Sequence, residues 1–576
     1  MHTIPAHSAS HGHSSPLPGR HREHEESPIR RIWSLARYEK PDLFLVFIYA
    51  VGIGILSLAT PIVVMLVVNT TAMASLTQQL VVLVLGLVIA LSLAALLRVL
   101  QMIVVEFIQR RVFVRVVGDL AHRLPRVDIT AFDQAHGPEL VNRFFDVLTV
   151  QKSASTLLID GITVALQVLI GMILLAFYHE YLLGFDLFLL FGMALIFVLG
   201  IGAIRKAIAE SWAKYAVANW MEEIARHPLA FKLGGGSKLA MQLADDLTMH
   251  YLETRRAAFN VVKRQVAFSL GLQAAANGVL LAVGGYLVIN QQLSLGQLVA
   301  AEIVVNMVVA SFTKLGKQLE SYYDLVAALN KLGHLLELPL ERDSGVELPD
   351  SPGGARISFH GIGFHYPDTS KMIFDKFSEH IEPGQRVALV GLNGSGKTTL
   401  VELLFGLREP DYGHIEINSM DLRDIKLRDY REKAALVGGV EIFGGTVLDN
   451  VRMGRDIPIE ELRAILASVG LLEDILALPN GLQTELRTGG RPLSLGQAKR
   501  LVIARAIVNK PQLLIIDELL DDLDENSRRL VLPVVLNQEA PWTLVVTTHS
   551  EELASLCDKA IYLREDEPTN VIVKEV

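Results

Sequence analysis

Gly391-Leu-Asn-Gly-Ser-Gly-Lys-Thr398 is the stretch that decides the fold of the second half of this 576-residue chain. It fits the phosphate-binding loop pattern G-x-x-x-x-G-K-[ST], in which backbone N–H groups and a helix N-terminus converge on phosphate oxygens. The mostly apolar Arg386-Val-Ala-Leu-Val390 before it predicts a buried strand, and Thr399-Leu-Val-Glu-Leu-Leu-Phe405 after it predicts a helix. A nucleoside triphosphate is therefore the expected ligand, and a glycine-rich turn without a ligand is the structural alternative.

The side chains of this loop have separate expected roles. Lys397 would reach the outer phosphates, and Thr398 would place its hydroxyl on Mg²⁺. The glycines would allow the tight turn and a close approach of backbone to ligand. The residues expected to contact the nucleotide here are Gly391, Leu392, Asn393, Gly394, Ser395, Gly396, Lys397, Thr398 and Thr399.

Two acids follow another apolar run, Leu513-Leu-Ile-Ile516. A strand that ends in acids is how a phosphate-loop enzyme presents a carboxylate to Mg²⁺ and to the attacking water. We expect Asp517 to lie on the metal side and Glu518 to polarise the water as a general base or water-positioning group. Exposed surface acids are the alternative.

The first half of the chain is too apolar for a wholly soluble protein. Hydrophobic residues make up 51% of the sequence, the mean hydropathy is +0.37, and the apolar excess lies in the first half. A bilayer is crossed by about 20 apolar residues in a helix. Six crossings are predicted, at about 43–68, 80–108, 156–177, 181–204, 267–289 and 298–318.

Charge placement sets the expected orientation. Segments between crossings alternate between basic ones and ones without Lys or Arg, which is the pattern of the positive-inside rule. Both termini and the nucleotide-binding half should therefore be cytoplasmic, in a multi-pass protein of the inner or plasma membrane. Within the predicted crossings, Arg98 and Glu302 could pair.

The remaining composition mainly excludes functions. A net charge of −9 gives no indication of nucleic-acid binding, and the single Cys557 excludes an internal disulfide and a thiolate metal cluster. Residues 1–28 are rich in His, Ser, Pro and Gly and predict a disordered cytoplasmic tail. Six histidines there could bind a metal ion, although irregular spacing favours a solvated tail.

The expected organisation has two domains. Residues 29–335 form the transmembrane domain, 336–354 a turn-rich linker, and 355–576 an α/β domain with a mainly parallel sheet. The cytoplasmic insertions 109–155 and 205–264 predict amphipathic helix, so the crossings should extend beyond the bilayer.

The order of motifs resembles the nucleotide-binding domain of ABC transporters. It runs Tyr366, Gly391 to Thr398, Leu493-Ser-Leu-Gly-Gln497, Asp517-Glu518 and His549. Six crossings ahead of one such domain are similar to an exporter-type half-transporter, as is Thr484-Glu-Leu-Arg-Thr-Gly-Gly490, which resembles an exporter-specific segment. The resemblance implies an all-α six-helix transmembrane domain fused to an ABC-type α/β P-loop NTPase domain.

It also implies roles by position. Tyr366 would stack on adenine, and His549 would contact the γ-phosphate and orient the water, which makes Lys397, Glu518 and His549 the catalytic set. Ser494, Gly496 and Gln497 would contact the γ-phosphate of ATP held by a partner subunit, so the resemblance implies a dimer. ATP and Mg²⁺ are the implied cofactors, with Thr398 and Asp517 as the magnesium ligands.

Three departures from the family pattern stand out. Leu495 occupies a position where the family usually has glycine, and Asp521 is unusual in the subunit-contacting loop Asp521-Asp-Leu-Asp524. The segment Leu436-Val-Gly-Gly-Val-Glu-Ile-Phe443 stands where a glutamine-containing loop is expected, yet it has no glutamine, and Glu441 could substitute.

Two cytoplasmic segments resemble the coupling helices of exporters, namely Phe132 to Arg143 and Ala225-Arg-His-Pro-Leu-Ala-Phe-Lys232. Generic amphipathic helix is the alternative for both.

The sequence thus predicts ATP-driven export of an unidentified substrate by alternating access. A homodimer of half-transporters in the bilayer is favoured, and a heterodimer is the alternative, in which this chain would be partly regulatory or structural. An importer is disfavoured because importers usually keep the two domains on separate chains. Peptide, polypeptide, lipid and small amphiphile all remain open as substrates.

Overall fold

The computed structural model describes residues 37–72, 77–133, 141–351, 353–367, 369, 371–564 and 572–575. The predicted tail 1–28 and residues 134–140 of the first predicted coupling segment lie outside the described residues. The chain divides into two compact units. The first comprises Met1–Pro125 and Ala135–Leu338, and the second comprises Arg126–Gln134 and Pro339–Val576.

The first unit is helical. Its helices are α1 Lys40–Ser57, α2 Ala59–Ala72, α3 Thr77–Arg123, α4 Asp146–Thr156, α5 Ile162–Tyr178, α6 Glu180–Leu199, α7 Ala203–Arg226, α8 Pro228–Lys232, α9 Gly236–Ile289 and α10 Leu295–Leu336. A π-helical turn, Leu157–Gly161, joins α4 to α5. Ser294 caps α10 through reciprocal hydrogen bonds with Gln297, which fixes where this helix begins.

Among the described residues, six helical segments are long and apolar enough to cross a membrane, the number that the sequence predicts. They are Lys40–Thr71, Gln78–Arg126, Arg143–Tyr178, Glu180–Arg226, Gly236–Ile289 and Leu295–Leu336. Each is longer than its apolar run because amphipathic helix continues beyond it. Gly192 lets α6 approach α9 closely, since a Cβ built there would lie 2.5 Å from Leu272 Cδ2.

The second unit is α/β. Its strands are β1 Ile357–Phe364, β2 Phe374–Ile381, β3 Arg386–Val390, β4 Tyr412–Ile417, β5 Met420–Asp421, β6 Ala434–Val437, β7 Gly445–Thr446, β8 Glu485–Leu486, β9 Leu513–Asp517, β10 Thr543–Thr548, β11 Lys559–Tyr562 and β12 Ile572–Glu575. Its helices are α11 Lys397–Leu404, α12 Leu427–Lys433, α13 Val447–Arg452, α14 Ile459–Ser468, α15 Leu472–Leu476, α16 Leu495–Ile507, α17 Glu525–Val535 and α18 Glu551–Ala554.

The central sheet has the order β12-β11-β3-β10-β9-β6 and is parallel except for β12. Strand β3 is buried at all five positions, which is why four of its five residues are apolar. A second, antiparallel sheet has the order β2-β1-β4-β5. The central sheet brings the carboxyl ends of β3, β9 and β10 to one edge, where ligands bind in open α/β sheets.

The short segment Arg126–Gln134 belongs to the second unit although helices of the first unit flank it in sequence. Val127 pairs with Leu340 in an antiparallel bridge, and the Asp128 N–H donates to the Pro339 carbonyl over 2.9 Å. The bounds of the second unit therefore include a piece of the first predicted cytoplasmic insertion.

Candidate nucleotide-binding site

The phosphate loop lies between β3 and α11. Gly394 and Gly396 have φ values of +85° and +94°, a backbone conformation that side chains with a Cβ rarely adopt. Ser395 Oγ is buried and has no hydrogen-bond partner among the described residues. A buried hydroxyl without a partner in a loop of this pattern fits an anionic oxygen as its acceptor. The loop therefore suits the phosphates that the sequence predicts.

Lys397 is almost fully buried at the start of α11. Its Nζ donates to the carbonyls of Gly391 and Leu392 over 2.9 and 3.1 Å and lies 3.2 Å from Glu518 Oε1. This ion pair brings the phosphate loop and the acidic end of β9 together. Thr398 is exposed, whereas Thr399 is buried beneath the loop.

The acids at the end of β9 are held by β10. Thr547 stands beside Asp517 in the parallel register, and its hydroxyl donates to Asp517 Oδ1 over 2.5 Å. The same Oγ1 accepts the Glu518 N–H over 2.8 Å. Glu518 has φ +55°, a conformation that is costly for a side chain with a Cβ and persists where the surroundings enforce it. Thr547 thus fixes both acids at once.

His549 is held by a residue that the sequence marks only as a departure. Asp521 is almost fully buried, and its Oδ2 lies 3.0 Å from His549 Nδ1 and accepts the His549 backbone N–H over 3.0 Å. The Thr548 hydroxyl also donates to this carboxylate, over 2.7 Å to Oδ1. Asp521 therefore orients the imidazole through Nδ1, as a carboxylate orients a histidine in catalytic triads.

These residues, Asp517, Glu518, Asp521, Thr547 and His549, are called the strand-end cluster below. Sequence reasoning found three of them and missed Asp521 and Thr547 as positioning groups. The available signal was the pair Thr547-Thr548, two hydroxyls that directly follow the apolar centre Leu544-Val-Val546 of a buried strand.

Tyr366 lies beside the loop. Its hydroxyl is 3.1 Å from Thr399 Oγ1, and the Arg408 guanidinium lies over its ring at 4.9 Å from the centroid. Arg408 also donates to Glu402 over 2.6 Å and makes a two-bond pair with Asp133, each bond 2.8 Å long. The side chain that is expected to stack on adenine is thus linked through one arginine to the segment 126–134.

Arg408 and burial shift the pKa values of this group of side chains. The hydrogen bonds from Arg408 hold the pKa of Asp133 below its usual value, and the same bonds raise the pKa of Arg408. Burial raises the pKa of Tyr366. All three side chains are therefore held in their ordinary protonation states at neutral pH.

The predicted signature residues form the start of α16. Ser494 caps the helix, with reciprocal bonds of 3.3 and 2.9 Å to Gln497. Leu495 points outward, with 66% of its surface exposed, so its side chain does not disturb the helix. Gly496 permits close packing, since a Cβ built there would lie 2.8 Å from Asp524 Oδ2.

Among the described residues, no hydrogen bond or ion pair joins Ser494, Gly496 or Gln497 to the phosphate loop of the same chain. The structure thus brings together the phosphate loop, the strand-end cluster and Tyr366. It leaves the signature residues apart from them.

The segment Leu436 to Phe443 begins in the last two residues of β6 and continues into the loop after it. A Cβ built at Gly438 would lie 3.9 Å from Asp517 Cβ, and one built at Gly439 would meet nothing within 4 Å. Glu441 is exposed, and its carbonyl accepts from Arg505 Nη1 over 2.7 Å. The glycine of this loop that faces Asp517 therefore offers no side chain to that acid.

The helical unit contains cavities of its own. One of about 1090 Å³ has mainly apolar walls, including Leu157, Phe197 and Leu319. Another of about 360 Å³ is lined by Arg98, Asp160, Lys314 and Lys317, among others. Arg98 pairs with Asp160 over 2.5 Å, so the pairing of Arg98 with Glu302 considered from the sequence is wrong. The π-helical turn that carries Asp160 brings this acid to Arg98.

Known proteins are similar to this chain over both halves. Residues 374–521 match the ABC transporter family. An ATP-dependent lipid A-core flippase of Pseudoalteromonas atlantica is 26% identical over 80% of this chain and 79% of its own length. The flippase of the same name from Thiobacillus denitrificans is 33% identical over 52% of this chain and 51% of its own length. The solved structure of a bacterial Atm1-family ABC exporter with ATP bound has a TM-score of 0.74, at 19% identity, over 92% of this chain and 94% of that one.

Proposed function

Because the chain has the fold of an ABC exporter half, with six candidate membrane spans ahead of an ABC transporter domain, we propose that it drives export by hydrolysing ATP as a dimer. The observation that carries this proposal is the ion pair of 3.2 Å between Lys397 and Glu518. It supports the proposal because it brings Lys397 of the phosphate loop and Glu518 after β9 into one small site. A nucleotide whose outer phosphates replace the carbonyl partners of Lys397 would leave Glu518 close to the attacking water.

The remaining residues of the site have supporting roles. Glu518 accepts the proton of the water, and its backbone is fixed by Thr547. His549, held at Nδ1 by Asp521, directs its other ring nitrogen towards the γ-phosphate. Thr398 and Asp517 fit a magnesium ion, because hydroxyl and carboxylate oxygens suit a hard cation. When bound, that ion neutralises charge on the phosphates.

The signature residues support a dimer. Ser494 and Gln497 lie at the start of α16, where the helix N-terminus favours an anion, and among the described residues no polar contact joins them to the phosphate loop. The ATP bound by a second half-transporter would place its phosphates at the N-terminus of this helix. Closure of such a dimer on ATP and its reopening after hydrolysis would alternate the access of the helical unit.

The segment 126–134 supports coupling of the two activities. It continues directly from the end of the candidate span Gln78–Arg126 and holds Arg408 through Asp133. A change at that end of the span would reach Arg408, and through it Tyr366, along a short piece of chain. We propose that this is one route by which nucleotide binding and substrate binding affect each other.

The cavities of the helical unit support an amphiphilic substrate. The mainly apolar cavity suits acyl chains, and the smaller one carries three cationic side chains and one acid, which suits an anionic headgroup. The flippases similar to this chain are named for lipid A-core. A lipid with an anionic headgroup is therefore the proposed substrate class.

The test is transport by the full chain in proteoliposomes. Fluorescent lipids with anionic and with zwitterionic headgroups would be followed across the bilayer with ATP present. We expect ATP-dependent movement of the anionic lipid, abolished by Lys397→Ala and weakened by the double variant Lys314→Ala and Lys317→Ala. Movement that is equal for both lipids, or that survives Lys397→Ala, would contradict the proposal.

A further inference from the structure

Three metal-ligating side chains meet on the antiparallel sheet of the second unit, away from the nucleotide site. His360 of β1 and His414 of β4 are direct cross-strand partners, and Glu416 lies two residues further along β4 on the same face. One ligand atom from each of the three lies within 4.8 Å of the others. Because cross-strand register fixes these positions, the three side chains converge without any loop having to fold around them.

The distances suit a metal ion. Glu416 lies between the two imidazoles, with Oε2 3.3 Å from His360 Nε2 and Oε1 3.4 Å from His414 Nε2. Ligands at about 2.0–2.1 Å from a tetrahedral zinc ion are separated from each other by roughly 3.3 Å. The histidine-to-carboxylate separations therefore already match an edge of such a coordination shell.

The rings need only a small adjustment. The two imidazoles stack with centroids 4.6 Å apart and planes 20° apart, so their lone pairs do not point at one centre. Rotation about the histidine χ2, a broad torsion, corrects this without moving the backbone. The histidine side chains are 47% and 35% exposed, so an ion can enter and keep water as a further ligand.

The geometry points to a surface site for a divalent transition-metal ion, Zn²⁺ above all, at His360, His414 and Glu416. Two imidazoles and one carboxylate suit zinc, cobalt and nickel, whereas Mg²⁺ and Ca²⁺ prefer oxygen ligands. The bound ion would join β1 to β4 and stabilise the antiparallel sheet that carries Tyr366 just beyond β1. The site is independent of the nucleotide and of transport.

The test uses the full chain in nanodiscs, with the tail histidines replaced so that they cannot bind the probe. In this parent His2, His7, His11, His13, His21 and His24 are changed to Ser. Zn²⁺ alone is titrated against a chromophoric chelator. We expect one tight equivalent per chain, weakened more than about tenfold by His360→Ala or His414→Ala. His380→Ala is the matched control, because that imidazole on β2 is bound to Ser358 and Glu382 instead.

Two further readouts separate ligation from a folding effect. Co²⁺ in the parent should give the visible spectrum of a low-coordinate site, and the double variant His360→Gln and His414→Gln should lack this spectrum. Without metal, the double variant should unfold at the same temperature as the parent. Binding should weaken from pH 7.5 to 5.5, because the imidazoles must be neutral to ligate. Zn²⁺ binding that the double variant leaves unchanged, or no tight binding by the parent, would overturn the site.

Discussion

The phosphate-loop side and the signature side of the second unit differ in how far this chain completes them. On the phosphate-loop side, Lys397, Glu518 and His549 each have a hydrogen-bond or ion-pair partner within 3.2 Å. On the signature side, the side chains of Ser494 and Gln497 accept hydrogen bonds from each other's backbone N–H at the helix start, and Leu495 projects outward. In the loop after β6, Gly438 and Gly439 carry no side chain.

This difference indicates where the chain can vary. On the phosphate-loop side, the buried Lys397 and Asp521 hold the partly exposed Glu518 and His549, and removal of one member takes a partner from a buried group. The signature side is a helix N-terminus, and in the proposed dimer its departures from the family pattern would affect the ATP held by the partner and not the site in this chain. The predictions below test this asymmetry from the largest expected effect to the smallest.

Glu518→Gln should have the largest effect. It keeps the size of the side chain but removes the proton acceptor, so ATP turnover should fall by about 10²–10⁴-fold. ATP binding, followed by a fluorescent analogue, should remain. The matched control is Glu525→Gln, an exposed acid paired with Arg529, which should change turnover little. Unchanged turnover in Glu518→Gln would remove Glu518 from its role.

Asp521→Asn should lower turnover by at least about tenfold, because the buried carboxylate orients His549. The loss should appear in kcat, with the KM for ATP nearly unchanged, since Asp521 itself does not reach the phosphates. Glu382→Gln serves as the control, because it removes the exposed carboxylate that pairs with another histidine, His380. An equal loss in both variants, or a loss confined to KM, would contradict the positioning role.

Asp133→Asn should have a moderate effect, felt on both stability and nucleotide affinity. The loss of two charge-assisted bonds to a nearly buried Arg408 should lower the free energy of unfolding by about 1–3 kcal/mol. The KM for ATP should rise a few-fold, because Arg408 covers the ring of Tyr366.

The stability contributed by the ion pair between Asp133 and Arg408 should depend on pH in a defined direction. The pKa of Asp133 is lowered in the folded protein, so the ion pair contributes full stability above the usual carboxyl pKa of about 3.9. The stability is lost only as the pH falls through the lowered folded value. The difference in melting temperature between the parent and Asp133→Asn should therefore be constant from pH 5 to 8. A difference that shrinks between pH 7 and 5 would argue against the pair.

Leu495→Gly should have the smallest effect. Its exposed side chain packs against nothing that holds the helix, so its removal should leave folding intact and raise turnover of a homodimer by about twofold, or about 0.4 kcal/mol. Turnover and thermal unfolding would be measured side by side. A large gain would mean that Leu495 blocks the shared site, and the signature side would then limit the enzyme.

Local sequence patterns predicted part of this structure. Strand β3 and the start of α11 flank the phosphate loop as its pattern predicts, and β9 contains the apolar run Leu513 to Ile516. The six candidate spans follow from runs of apolar residues. Each of these signals is contained in fewer than about 30 residues, which is why a single sequence suffices.

Other features depend on register between distant strands. Thr547 reaches Asp517 only because β10 lies beside β9 in a particular alignment, and Asp521 reaches His549 across the same edge. The antiparallel sheet, and with it the meeting of His360 and His414, likewise arises from pairing across more than 50 residues. No local pattern specifies such pairings, since a shift by one residue would turn each side chain to the opposite face.

The most direct measurement of the central claim is ATP hydrolysis by the purified full chain, as the only half-transporter present, in lipid nanodiscs. If this chain has a complete phosphate-loop side and a usable signature, we expect steady ATP turnover that depends on the dimer and is lost in Glu518→Gln. ATP binding without hydrolysis by the chain alone, with turnover appearing only when another half-transporter is added, would contradict it.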